Sequence, residues 1–105
     1  ATGNVIVSVK AGAQVNPAMV RELGGTVSSE NAELGVFISV DRATEKMDQA
    51  AASFGVYTDI ITRKQYPKIQ NFCIVDYFIG KRPNLPSLFI PYVQAKPHAE
   101  QLFLM

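Results

Sequence analysis

The stretch Asn4-Val5-Ile6-Val7-Ser8-Val9-Lys10 opens the chain between Gly3 and Ala11-Gly12. A run of this length that is rich in β-branched residues predicts a largely buried β-strand, and this strand ends in a lysine. Asn16-Pro17 follows, which is typical of a helix N-cap and the first helical residue after it. The opening therefore predicts a strand followed by a helix, the building unit of an α/β fold.

The first predicted helix carries apolar residues at three- and four-residue spacing, namely Met19, Val20, Leu23 and Val27. Gly24-Gly25 interrupts this pattern and costs the helix roughly 1 kcal/mol per glycine relative to alanine. The pair therefore allows a break or a bend at this point.

Further strands and helices are indicated along the rest of the chain. They are a strand over Leu34–Val40, a helix from Thr44 to Phe54 that Gly55 stops, a loop with a short strand over Tyr57–Pro67, a strand over Ile69–Ile74 and one or two helical turns over Val75–Ile79 that Gly80 stops. Prolines punctuate the segment that follows, so we expect Leu85–Val93 to be extended. This alternation predicts an α/β domain with a mostly parallel sheet and right-handed crossovers.

Composition limits the classes of protein to which the chain belongs. Its 105 residues predict one domain, and 48% hydrophobic against 18% charged residues suffice for a real core. A net charge of +1 excludes a strongly basic nucleic-acid arm and an acidic tail. We find no leader pattern and no run of 18 apolar residues, so we expect a cytoplasmic protein without a membrane span.

Residues for metal or nucleophilic chemistry are scarce. Cys73 is the single cysteine, which excludes an intramolecular disulfide and a multi-cysteine zinc site. Its place inside an apolar strand predicts a buried packing residue. His98 is the single histidine, and we expect it to be solvated in the tail. With one cysteine and one histidine, which excludes a two-histidine site, we predict no metal site within the chain. We also find no Gly-rich phosphate loop and no nucleophile elbow.

A family resemblance begins with the first strand and helix. The strand Val5–Lys10 and the helix around Val20-Arg21-Glu22-Leu23 resemble the restriction-endonuclease-like, PD-(D/E)xK core of the Mrr type. They are also similar to the C-terminal segment of some bacterial N4/N6 DNA methyltransferases. The order of the later segments extends this resemblance over nearly the whole chain: Gly35–Ser39, Thr44 with Met47 and Ala50–Ala52, Gly55 with Tyr57, Tyr66–Gln70, Gly80–Arg82 with Leu85-Pro86, and Gln101–Leu104.

The resemblance implies a truncated restriction-endonuclease-like core. Its fold would be α/β, with a mostly parallel or mixed sheet of three to five strands flanked by helices. We assign residues 1–86 to this core, which lacks the family's N-terminal part, and residues 87–105 to an apolar tail that packs on the core or on a partner.

The family's chemistry requires more than this chain supplies. An aspartate on one strand, and an acid or glutamine two residues before a lysine on the next, hold a divalent metal that activates water. Here Lys10 matches the lysine, but Ser8 stands in place of the acid or glutamine, and the aspartate is absent. We therefore expect Ser8 and Lys10 to be a vestigial catalytic motif, with no cofactor and with Mg²⁺ only if a complex retains activity.

The resemblance implies that Lys10 contacts a phosphate group of DNA. A lysine at a strand end beside the N-terminus of the next helix suits an anion, because free helical N–H groups add to its field. Arg21 either lines the same face or pairs with Glu22 or Glu30. The predicted contacts to double-stranded DNA are Lys10, Gln14, Asn16, Arg21, Lys81 and Arg82.

Without the family's N-terminal part, the first strand would have an unpaired edge, and such an edge can pair with a strand of another chain. Either the apolar tail folds across this edge or two chains associate. Because prolines in the tail limit ladder pairing, we expect a homodimer.

The functional prediction is a non-catalytic, nuclease-like module that contacts the DNA backbone. One alternative is a protein-interaction or dimerisation domain with no DNA role, which would use Leu88, Phe89, Tyr92 and Phe103. The other alternative is a metal-dependent nuclease that a partner chain completes.

Overall fold

The fold is taken from a computed structural model that describes residues 3–11, 14–86 and 90–95, the last of these by their backbone. The elements in chain order are β1 (Asn4–Lys10), α1 (Pro17–Ser29), β2 (Leu34–Ser39), α2 (Glu45–Ala52), β3 (Val56–Thr58), β4 (Gln65–Pro67), β5 (Ile69–Cys73), α3 (Ile74–Phe78) and β6 (Ile90–Ala95).

A four-stranded sheet in the order β5-β2-β1-β6 forms the centre of the domain, and each neighbouring pair runs parallel. The crossover helices α1 and α2 connect β1 to β2 and lead from β2 towards β5. The predicted α/β class with a parallel sheet flanked by helices is confirmed. Strands β3 and β4 pair antiparallel as a separate hairpin, where the sequence predicts a loop with one short strand.

The main core lies between one sheet face and the two crossover helices. The sheet contributes Ile6, Phe37 and Ile69, which alternate with residues of the opposite face as strand geometry requires. The helices contribute apolar side chains at helical spacing: Val20, Leu23 and Val27 from α1, with Met47, Ala50 and Ala51 from α2. All of these residues are buried.

The glycine pair does not break α1, which is continuous from Pro17 to Ser29. Gly24 is buried against the Phe54 ring, and a Cβ atom at residue 24 would lie 2.0 Å from Cζ of that ring. The glycine therefore provides close packing of α1 against the end of α2. Gly25 faces open space, so nothing around it requires a glycine.

The opposite sheet face is covered in part by the hairpin. Val5, Leu34 and Val36 form a second buried cluster there with Tyr66 of β4. Tyr57 of β3 packs against the same cluster. Both tyrosines stand opposite each other in the hairpin register, so the predicted loop is in fact a cover for the start of the sheet.

The outer edge of β1 is occupied by the tail. Ile90–Ala95 pairs in parallel with β1, and Pro91 stands opposite Val5. The alternative that the tail folds across this edge is the one that the backbone of β6 bears out. The proline is tolerated because β6 is an edge strand, where one missing N–H donor costs little. The unpaired edge that motivated the homodimer is therefore filled. Leu88, Phe89, His98 and residues 101–104 lie outside the described residues.

Candidate nucleic-acid interface

The carboxyl ends of the parallel strands bring the predicted site residues to one edge of the sheet. Lys10 is in register with Ser39, and Ser39 with Cys73. With strands about 4.8 Å apart, the backbones of Lys10 and Cys73 are about 10 Å apart along this edge. Helices α1 and α2 begin at the same edge, since each runs back towards the start of the next strand. This carboxyl edge is the surface considered below.

Lys10 ends β1 on this edge and is half-buried. Within residues 3–11, 14–86 and 90–95, the only ion pair joins Arg42 to Asp76, so no described carboxylate neutralises the Lys10 ammonium. Within that part of the chain, no carboxylate competes with an anion from solvent for the Lys10 ammonium.

In the chain, α1 is the element that follows β1. Asn16 caps this helix, and its Oδ1 accepts a hydrogen bond from the Met19 N–H at 3.1 Å. The first turn of α1 contains no acidic residue, so the partial positive charge of the helix end is not offset there. Gln14 is exposed two residues before this cap. Lys10 ends β1 at the edge of the sheet where α1 begins, and Asn16 is already engaged there as a cap through its oxygen.

Arg21 lies on the exposed side of α1, one turn beyond the cap. Among the described residues it forms no ion pair with Glu22 or Glu30. Of the two roles considered for this residue, the helix-surface ion pair is therefore not realised.

Ser8 is the residue that the sequence analysis expects to stand in place of a metal-binding acid or glutamine. It is buried in β1, where it stands in register with Phe37 of β2. Among the described residues, no group of three His, Cys, Asp or Glu side chains lies close enough to hold a metal ion.

A bidentate ion pair holds α3 at the β5 end of the carboxyl edge. Arg42, in the turn after β2, donates to both carboxylate oxygens of Asp76 at 2.8 and 3.0 Å. These hydrogen bonds lower the pKa of Asp76 and raise that of Arg42. The sequence analysis missed this pair because its partners are 34 positions apart and meet only once β2 and β5 are aligned.

Lys81 and Arg82 follow α3 and lie apart from Lys10, at the β5 end of the sheet. Arg82 Nη1 donates to the carbonyl oxygens of Tyr77 at 3.1 Å and Lys81 at 2.8 Å, which caps the end of α3. Its guanidinium carbon lies 3.9 Å from the centre of the Tyr77 ring. Arg82 of the predicted basic pair is therefore packed on an aromatic ring.

Aromatic side chains on α3 were not among the predicted site residues. The Tyr77 and Phe78 rings meet edge to face, with centroids 5.8 Å apart. Tyr77 is 46% exposed and Phe78 is 79% exposed. The signal was present in the sequence, since a short helix with apolar residues on every side cannot turn all of them towards the core.

Cys73 is buried at the end of β5, which confirms its predicted packing role. Its Sγ donates to the Val40 carbonyl oxygen at 3.2 Å and thereby ties β5 to the end of β2.

Comparisons with known proteins add no relative: no family model matches the chain, and no curated protein or solved structure is significantly similar to it. Among the described residues, no helix has the length and apolar character needed to cross a membrane.

Proposed function

We propose that this domain is a non-catalytic, nuclease-like module that contacts the phosphate backbone of DNA. The contact surface is the carboxyl edge of the sheet beside β1. One observation carries the proposal: Lys10 ends β1 at the edge of the sheet where α1 begins, and no carboxylate among the described residues pairs with it.

Two sources of positive potential support phosphate binding at this point. The Lys10 ammonium provides a full charge, and the capped start of α1 provides partial charges on N–H groups with no acidic residue in its first turn. Phosphate contacts of this kind position a protein on DNA without reading its sequence. The proposed contact is therefore sequence-independent.

Absence of cleavage follows from the side chain at residue 8. A neutral, buried serine hydroxyl is a poor ligand for a hard divalent cation compared with a carboxylate. The relationship to the C-terminal part of DNA methyltransferases rests on the resemblance described above and belongs to the same proposal.

The affinity should be modest, because a net charge of +1 gives little long-range attraction to a polyanion. We expect dissociation constants near the micromolar range at about 50 mM salt and a clear loss of binding at about 200 mM salt.

Fluorescence anisotropy of a labelled DNA duplex tests the proposal. Lys10→Ala should weaken binding by about tenfold, the value of one hydrogen bond to a charged group. Lys68→Ala is the matched control, because Lys68 is also half-buried but precedes β5 at the opposite edge of the sheet. Equal losses in the two variants would contradict a site at Lys10.

A plasmid assay separates this module from an enzyme completed by a partner chain. We expect no nicking at high protein concentration with Mg²⁺ or Mn²⁺. Nicking that disappears in Lys10→Ala would establish a nuclease instead.

A further inference from the structure

The aromatic surface of α3 contributes no buried side chain to the core. No residue of α3 is buried, and Val75, Tyr77, Phe78 and Ile79 are all exposed. Exposed large apolar groups that adjoin one another indicate a contact surface for another molecule.

The charges around this surface indicate which kind of ligand it would bind. Lys81 and Arg82 adjoin the aromatic rings, and among the described residues neither pairs with a carboxylate. Asp76 of α3 accepts hydrogen bonds from both Nη atoms of Arg42. Lys81 lies near enough to Asp76 for its charge to help lower the pKa of that carboxyl group. The surface therefore combines exposed rings with two cations that form no ion pair among the described residues, a combination suited to a ligand with flat rings and negative charge.

Phe78 is the ring best placed to stack. Arg82 covers one face of Tyr77, and Tyr77 meets Phe78 edge to face, so the exposed Phe78 ring remains open to solvent. Single-stranded nucleic acids are bound by this pairing of aromatic rings for the bases with cations for the phosphates. In a duplex the base faces are stacked on one another and are not accessible to such a ring.

We propose that α3 forms a stacking platform for unpaired bases of single-stranded DNA, with Phe78 as the ring that contacts a base and Lys81 and Arg82 as the phosphate contacts. This inference rests on the proposed DNA-binding function and deepens it. Lys10 and α3 lie along the same edge of the sheet, with about 10 Å between the backbones of Lys10 and Cys73. A single strand crossing this edge meets both.

The test compares labelled oligo(dT) of about 12 nucleotides with a duplex of random sequence. Phe78→Ala should weaken binding to oligo(dT) by roughly fivefold or more and leave duplex binding unchanged. Ile60→Ala is the matched control, because Ile60 is likewise 79% exposed but lies on the turn between β3 and β4. Equal effects of Phe78→Ala and Ile60→Ala would overturn the platform.

A spectroscopic variant reports stacking directly, since the chain contains no tryptophan. Phe78→Trp should keep oligo(dT) affinity, and its fluorescence should be quenched on binding. Ile60→Trp should show no quenching. Unquenched fluorescence of Phe78→Trp in the bound state would contradict stacking at residue 78.

The remaining outcomes separate this inference from the function on which it rests. If duplex binding depends on Lys10 but Phe78→Ala does not change binding to oligo(dT), only the platform is overturned. If the protein binds neither DNA, both proposals are overturned. Tighter binding to oligo(U) than to oligo(dT) would reassign the platform to RNA. A light-scattering mass above the 11.5 kDa monomer that falls to it in Phe78→Ala would reassign the surface to a protein contact.

Discussion

Phe37 and Phe78 are the same residue type in opposite settings. Phe37, in β2, has no exposed surface and packs beneath α1 and α2, whereas Phe78, in α3, is 79% exposed at the carboxyl edge. Burial of an aromatic side chain is among the largest stabilising contributions that a small domain has. The difference teaches that the apolar residues of α1 and α2 serve folding, while those of α3 remain available for another molecule.

The two regions also differ in what holds them. The layer of α1 and α2 is fixed by close packing, to the extent that Gly24 and Gly35 leave no room for a Cβ atom without a shift of their neighbours. Helix α3 is held to the turn after β2 by the polar contact from Arg42 to Asp76, and Arg82 donates to the Tyr77 carbonyl oxygen at the end of the helix. This attachment leaves the Phe78 ring exposed.

The largest expected difference between the two regions comes from alanine substitution at the two phenylalanines. Phe37→Ala should lower the free energy of unfolding by about 3–5 kcal/mol, because it removes a fully buried ring and leaves a cavity. Phe78→Ala should change it by no more than about 0.5 kcal/mol. Urea unfolding followed by circular dichroism measures both values, and similar losses would show that α3 also supports the core.

Glycine substitution gives a smaller and sharper effect. A Cβ atom at Gly35 would lie 2.8 Å from Val27 Cγ2 and 3.0 Å from Ile69 Cδ1. Gly35→Ala should therefore destabilise the domain by about 1–3 kcal/mol through overpacking.

Gly25 supplies the control for that substitution. Gly25→Ala meets nothing within 4 Å and should stabilise the domain by about 0.5–1 kcal/mol through helix propensity. Two shifts of the same sign in thermal unfolding would contradict the packing described for β2 beneath α1.

The smallest expected effect concerns the ion pair that holds α3. Hydrogen bonds from Arg42 lower the pKa of Asp76 from its ordinary value of 3.8, so the pair stabilises the fold above that pH. This contribution should disappear as the pH falls through the lowered pKa. Asp76→Asn should therefore melt slightly below the wild type at pH 7 and together with it at the lowest pH. A difference that persists in acid would contradict an electrostatic origin.

The unit β1–α1–β2 could be predicted because its signals are local. A β-branched run, Asn16-Pro17 and apolar residues at helical spacing each specify their own element, and the crossover rule orders them. The continuity of α1 could not be predicted, because the reason for Gly24 is the ring of Phe54, which only the packed structure places beside it.

The site could likewise be predicted only where its signal is local in the sequence. The lysine at the end of β1 follows from the strand pattern, whereas pairing of β6 with β1 depends on which strand lies at the edge. The roles of Arg82 and Phe78 depend on contacts made after α3 has formed. Local sequence patterns thus located the basic residues but not the exposed aromatic rings of α3.

The salt dependence of duplex binding tests the central claim most directly. A plot of log affinity against log salt concentration counts phosphate contacts, because each contact on duplex DNA contributes about −0.9 to the slope. The account predicts that Lys10→Ala lowers the magnitude of the slope by about one contact, while Lys68→Ala leaves it unchanged. Equal slopes for the wild type and Lys10→Ala would contradict a phosphate contact at the end of β1.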